Sequence, residues 1–90
     1  MEVAGVIAFS PIEEGVLAAV GAEWSTVEEL QKRFYPGSSP EVVRRAVEYL
    51  KRKELVASIE RQHGQPILEQ TPVGFHALCA CRRARAAVTT

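Results

Sequence analysis

Arg44, Arg45, Lys51 and Arg52 fall within one short stretch, directly after the pair Ser38-Ser39. An arginine offers a planar fork of N–H donors that fits phosphates and guanine edges, and a lysine offers a compact positive charge. Ser38 and Ser39 can donate to a phosphate, or cap a helix with their hydroxyls. Arg61 and His63 lie in a later polar run, Arg61-Gln62-His63-Gly64-Gln65-Pro66. Cys79 and Cys81 complete the reactive side chains. At two residues' spacing on a helix they sit about 200° apart, which does not favour shared ligation of one ion or a mutual disulfide and predicts two ordinary small residues, one buried and one exposed. His63 and His76 have no cysteine or carboxylate at ligand spacing, so no metal and no cofactor is expected. There is no Ser/His/Asp set, no Gly-rich phosphate loop and no Asp at all. Those absences point away from an enzyme.

The basic cluster has a plainer reading beside the nucleic-acid one. Glu41/Arg45 and Glu48/Arg52 both have the Glu-to-Arg order at i, i+4 that stabilises a solvated, self-paired helix face. Ser38 and Ser39 are also accounted for as caps. Arg61 and His63 can simply be solvated loop residues. Arg82, Arg83 and Arg85 can bind phosphate or complement the carbonyl end of a helix.

Ninety residues, 47% hydrophobic, suit one small domain. No apolar run is long enough to span a membrane. Met1–Ser10 lacks the basic start and the length of a secretory signal, so a cytoplasmic protein without membrane contact is expected. The formal net charge is zero, yet the charge is segregated. Residues 1–31 contain six glutamates and no Lys or Arg, whereas residues 32–90 contain all eleven basic residues and five glutamates. Such asymmetry can support a basic face despite a neutral total, or the two halves can neutralise one another across the fold.

The elements that must position these groups are marked by caps. Ser10-Pro11-Ile12-Glu13 starts a helix over about 11–20, with Ile12, Val16, Ala19 and Val20 as its apolar stripe and Gly21 just past its end. Trp24 reads as a core anchor. Either Ser25/Glu28 or Thr26/Glu29 boxes the start of a second helix over about 27–34, ended before Pro36. Ser39 or Ser38 caps a third over about 40–53, in which Val43, Ala46, Val47 and Leu50 recur at helical spacing. Leu55–Glu60 and Ile67–Gln70 form a hairpin over about 55–70. Thr71-Pro72 opens a last helix over about 72–86, with Phe75 and Leu78 on its apolar side and frayed residues after it.

Helix, helix-turn-helix, hairpin, helix is the order of a winged helix. The expected fold class is therefore α+β: a winged helix-turn-helix with a three-helix core, a two-stranded β-hairpin wing and a C-terminal helix, in one domain over residues 1–90. The run Val43–Val56 and the run Ile67-Leu68-Glu69-Gln70-Thr71-Pro72-Val73-Gly74 resemble the recognition helix and second wing strand of PadR-like and MarR-like winged helix regulators. The resemblance covers roughly residues 12–80. Glu54 departs from it, standing where those families usually have Gly, so a different end to the third helix is expected. The resemblance implies a small transcriptional regulator that binds double-stranded DNA as a homodimer, with Met1–Phe9 and the C-terminal helix left to make the dimer. The third helix would enter the major groove and the hairpin would touch the backbone. Ser38, Ser39, Arg44, Arg45, Lys51, Arg52, Arg61 and His63 are then the candidate contacts. The alternative is a winged helix used as a protein-interaction module.

Overall fold

Three of the four described helices begin Pro-first behind a hydroxyl residue. The computed structural model of the chain describes residues 9–22 and 26–89, with side chains placed as far as Ala84. Expectations for Met1–Ala8, Trp24, Ser25 and the Arg85 side chain lie outside the described residues. The order is α1 (Pro11–Ala22), α2 (Val27–Phe34), α3 (Pro40–Arg52), β1 (Val56–Ile59), β2 (Ile67–Gln70) and α4 (Pro72–Thr89). Ser10 and Glu13 exchange side-chain-to-backbone hydrogen bonds before α1. Thr26 and Glu29 do the same before α2, so Thr26 is the cap. Ser39, not Ser38, caps α3 and accepts from Val42 N–H at 3.3 Å. Thr71 Oγ1 accepts from Gly74 N–H at 2.9 Å at the start of α4. Each cap satisfies a backbone donor that the first helical turn leaves without a partner.

The helices bury one stripe each. Val43, Ala46, Val47 and Leu50 of α3 meet Val16, Leu17 and Val20 of α1, Leu30 of α2, and Leu68 and Leu78 of the later elements. Fully burying an aliphatic side chain of this size stabilises by about 1.5–3 kcal/mol. Leu17 lies outside the narrow stripe read from the sequence and is fully buried. The stripe is wider because α1 packs against α3 on one side and against β2 and α4 on the other. The antiparallel hairpin pairs Val56 with Gln70 and Ile59 with Ile67, and Val56 and Leu68 face the core.

Four boundaries or placements differ from the sequence reading. Gly21 is inside α1, not past its end. The Gln70 side chain lies across it: a Cβ there would come within 2.3 Å of Gln70 Nε2, which donates to the Leu17 carbonyl at 2.9 Å. The glycine leaves room for that amide rather than stopping the helix; a larger residue would only have to displace the end of the Gln70 side chain and its bond to Leu17. Helix α4 runs on to Thr89, past the expected end near 86, and its last residues are helical rather than frayed. Phe75 is 54% exposed, because Gly74 and Leu78 define the inward face of α4 and 100° per residue turns Phe75 away. Cys79 and Cys81 are both half-buried free thiols, rather than one buried and one exposed, since α4 lies along α1 here. Cys81 Sγ approaches Glu14 Oε1 at 3.6 Å.

The end of α3 is the tightest junction. Helix α3 stops at Arg52 and Lys53 follows as its C-terminal cap. Leu55 N–H then donates to the Leu50 carbonyl at 2.9 Å, and Glu54 N–H to the Lys51 carbonyl at 3.0 Å. This is the paired Schellman arrangement, with Leu50 and Leu55 making its apolar contact. Its left-handed residue is Glu54, at φ 61°. The helix therefore ends as a glycine would end it, with a side chain in a conformation that costs on the order of 1–2 kcal/mol.

Helix α4 starts directly on this turn. Leu55 O accepts from Thr71 N–H at 3.1 Å, Thr71 Oγ1 donates to Glu54 O at 2.8 Å, and a Cβ on Gly74 would sit 2.1 Å from Leu55 O. Thermal unfolding checks both halves of the junction. Glu54→Gly should stabilise by about 1 kcal/mol and raise Tm by roughly 4–8 °C. Gly74→Ala should destabilise by about 1–3 kcal/mol, since backbone must move to admit the methyl.

Candidate nucleic-acid interface

The buried stripe of α3 leaves the opposite side to solvent. At 100° per residue, Glu41, Arg45, Glu48 and Arg52 lie opposite the Val43/Ala46/Val47/Leu50 stripe. Arg44 and Lys51 lie on one flank, and Val42 and Tyr49 on the other. All of these are exposed except Tyr49, which is half-buried against the core with Lys53 Nζ 5.8 Å from its ring centroid. Helix α2 packs beside α3, and Gln31 Nε2 donates to the Pro40 carbonyl at 3.2 Å. That bond ties the middle of α2 to the first turn of α3.

The two Glu-to-Arg pairs behave differently. Glu41 takes both of its neighbours: Arg44 Nε at 3.3 Å together with Arg44 Nη2, and Arg45 Nε at 3.1 Å. The Arg44 hydrogen bond lowers the Glu41 carboxyl from its ordinary value, desolvation opposes it in part, and the charge of Arg44 and the contact with Arg45 add to the lowering. The hydrogen bond to Glu41 raises Arg44 in turn. A carboxyl depressed in the folded state contributes stability above its ordinary pKa and loses it as pH falls through the depressed value, so the cluster is intact at neutral pH. Glu48 and Arg52 close no ion pair, and neither does Lys51. The N-terminal half of the strip is therefore charge-paired, and among the described residues its C-terminal half, with the Lys51 flank, carries two exposed cations without a hydrogen-bonded carboxylate beside the exposed Glu48, which acts on Arg44 through its charge alone.

The hairpin tip, residues 60–66, is a polar loop that turns at Gly64, φ 87°. Arg61 and His63 are exposed on it. Arg61 Nε donates to the Gln65 carbonyl at 2.8 Å. The Gln65 side chain reaches across to α2: Oε1 accepts from Glu28 N–H at 3.4 Å and Nε2 donates to Glu28 Oε2 at 3.3 Å. Gln65 thus braces the tip against the first turn of α2 and fixes the loop that holds Arg61. This bracing role was not legible in the sequence, where Gln65 reads as a wing-tip contact beside Arg61 and His63.

The eight candidate residues therefore divide. Arg44 and Arg45 share Glu41, and Lys51 and Arg52 extend the same helix. Ser39 is committed to its cap, and Ser38 N–H donates to the Phe34 carbonyl at 2.8 Å. Arg61 and His63 belong to the wing tip. No described group of three His, Cys, Asp or Glu could hold a metal ion. No described helix is long and apolar enough to cross a membrane.

No protein-family model matches the chain, and no curated protein matches it. Solved structures do share its fold. The transcriptional regulator BldR from Sulfolobus solfataricus is 23% identical with a TM-score of 0.76, over 90% of this chain and 58% of that one. The YusO protein from Bacillus subtilis is 24% identical with a TM-score of 0.76, over 94% and 59%. A zinc-responsive MarR family member, Lactococcus lactis ZitR, is 18% identical with a TM-score of 0.73, over 97% and 60%. A structure of ZitR in complex with DNA superposes with a TM-score of 0.66 at 16% identity, over 99% of this chain and 64% of that one. The fold is thus the winged helix expected from the element order. The chain spans less than two thirds of the length of these proteins.

Removing the brace is directly measurable. In Gln65→Ala, hydrogen exchange at the Glu28 amide should accelerate about fivefold, as expected for losing about 1 kcal/mol of hydrogen bonding. Amides of the α3 core stripe should keep their protection.

Proposed function

We propose that the chain is a double-stranded DNA-binding winged helix regulator, cytoplasmic and homodimeric, with α3 in the major groove and the wing on the phosphate backbone. The observation that carries this reading is the charge state of the outward strip of α3. Glu41, which would repel phosphate, is already taken by Arg44 and Arg45, while among the described residues Lys51 and Arg52 stand exposed with no carboxylate bonded to them and outnumber Glu48, the carboxylate of the strip left without an ion pair. The strip contributes nothing to the core, so its composition is free to serve a ligand. A structure of ZitR, on the same fold, is a complex with DNA, which supports DNA as the ligand.

Each side chain has a separate task in this reading. Arg45 reads a base edge, because Glu41 holds its Nε and leaves the two terminal nitrogens free for a guanine. Arg44 and Lys51, on the flank, meet phosphates, and so does Arg61 on the braced wing. Arg52 and His63 extend the helix and wing contacts. Ser38 and Ser39 lie where the first turn of α3 nears a strand, with Ser39 chiefly ordering that turn. A two-fold pair of chains would present two α3 helices to half-sites about one DNA turn apart. Val73 and Phe75 of α4, 59% and 54% exposed, are apolar surface in the segment assigned to that pairing.

Fluorescence anisotropy with labelled random duplex tests this. Three phosphate contacts per protomer in a dimer imply an affinity loss of about a thousandfold between roughly 50 and 200 mM salt. Lys51→Ala should flatten the salt slope by about two for the dimer, whereas Arg45→Ala should cost about 1–3 kcal/mol against a preferred sequence. Absence of binding at either salt, from protein with intact helical circular dichroism, contradicts the reading and favours a protein partner.

A further inference from the structure

Val42 is an apolar side chain on the outward part of α3 that the core does not use. It is 41% exposed, one of the more exposed large apolar residues described, whereas Tyr49 on the same flank packs on the core. A β-branched residue is also a poor choice for an exposed helical position, because the helix restricts its χ1. Folding therefore gives no reason for a valine here. Its surroundings are charged: Glu41 beside it, and Arg45 one turn on. That makes an isolated apolar spot too small to dock a protein surface.

In a DNA major groove the standard bases present one apolar group, the C5-methyl of thymine. Resting on the DNA-binding reading above, we propose that Val42 packs against a thymine methyl and, with Arg45, selects a thymine adjacent to a guanine. The position suits this. Val42 is the third residue of α3, and recognition helices meet base edges with their N-terminal residues. Its backbone is fixed by the Ser39 cap, whose hydroxyl accepts the Val42 N–H at 3.3 Å. Its stiff χ1 presents the two methyls in one arrangement without further ordering. Arg45, three residues on, is a same-side neighbour, held at Nε by Glu41 at 3.1 Å. At i, i+3 their Cβ atoms lie about 5–6 Å apart, within reach of neighbouring base pairs about 3.4 Å apart.

The test uses the full chain in two stages. Duplexes are first selected from a random library. Each thymine of the selected site is then replaced singly by deoxyuridine, which removes only the methyl group, and binding is measured by anisotropy. One replacement in each half-site, beside a guanine, should weaken binding about fourfold, the value of one buried methyl-sized group. Val42→Ala should bind the thymine and uracil duplexes alike, while its helical signal and salt slope stay those of the parent. Unchanged affinity at every replacement overturns the proposal and leaves the DNA-binding reading standing. Persistence of the same loss in Val42→Ala also overturns it, since the methyl would then be read by another group. Selection without any enriched sequence contradicts base reading by either residue, and absence of duplex binding removes both this proposal and the reading beneath it.

Discussion

The backbone of Leu55 is the joint on which the other elements depend. Its N–H closes the end of α3 on the Leu50 carbonyl, and its carbonyl receives the Thr71 N–H that starts α4. Its side chain is fully buried, and the next residue begins β1. One residue thereby sets the angle between α3, the wing and α4. The crowding of Leu55 O against Gly74 shows how little freedom remains there. Glu54 is held left-handed by these same constraints: two hydrogen bonds, an apolar contact and the Thr71 hydroxyl outweigh the cost of a side chain at positive φ.

The surface proposed to meet a polyanion is built on a chain of zero net charge. The conflict is resolved by placement. The acidic first third of the sequence supplies α1 and the start of α2, where Glu13 and Glu29 act as capping carboxylates and Glu14 meets Arg82 at 3.8 Å. Within α3 itself, Glu41 orders Arg44 and Arg45. A carboxylate that fixes an arginine's Nε lowers the entropy lost when the remaining donors engage a base. The i, i+4 pairing that stabilises a solvated helix is therefore compatible with binding, and the two readings of that spacing are not exclusive.

How much of this was legible depends on range. The helix starts at Pro11, Pro40 and Pro72 are local events, fixed by a hydroxyl cap and a missing N–H, and the sequence carries them in full. The α3 stripe is equally local. Gly21 looked like a helix stop because its reason, the Gln70 amide lying across α1, comes from 49 residues away. Phe75 looked inward because periodicity alone cannot say that Gly74 sets the face. Glu54 signalled an altered helix end, yet tertiary contacts around Leu55 imposed the usual one. In the candidate site, the cations of α3 were readable from spacing. The Gln65 brace was not, since it joins a loop to a helix start 37 residues earlier through side chains that no repeat or motif connects.

The central claim is that the outward face of α3, together with the wing, meets duplex DNA. Titrating isotope-labelled full-length chain with a random duplex, and following backbone amide shifts by NMR, tests it most directly. The account predicts that the largest changes fall on residues 39–52 and 60–66, with α1 and the start of α4 little affected. Changes confined to α1 or to the first turns of α4, or none with duplex in excess, would contradict it.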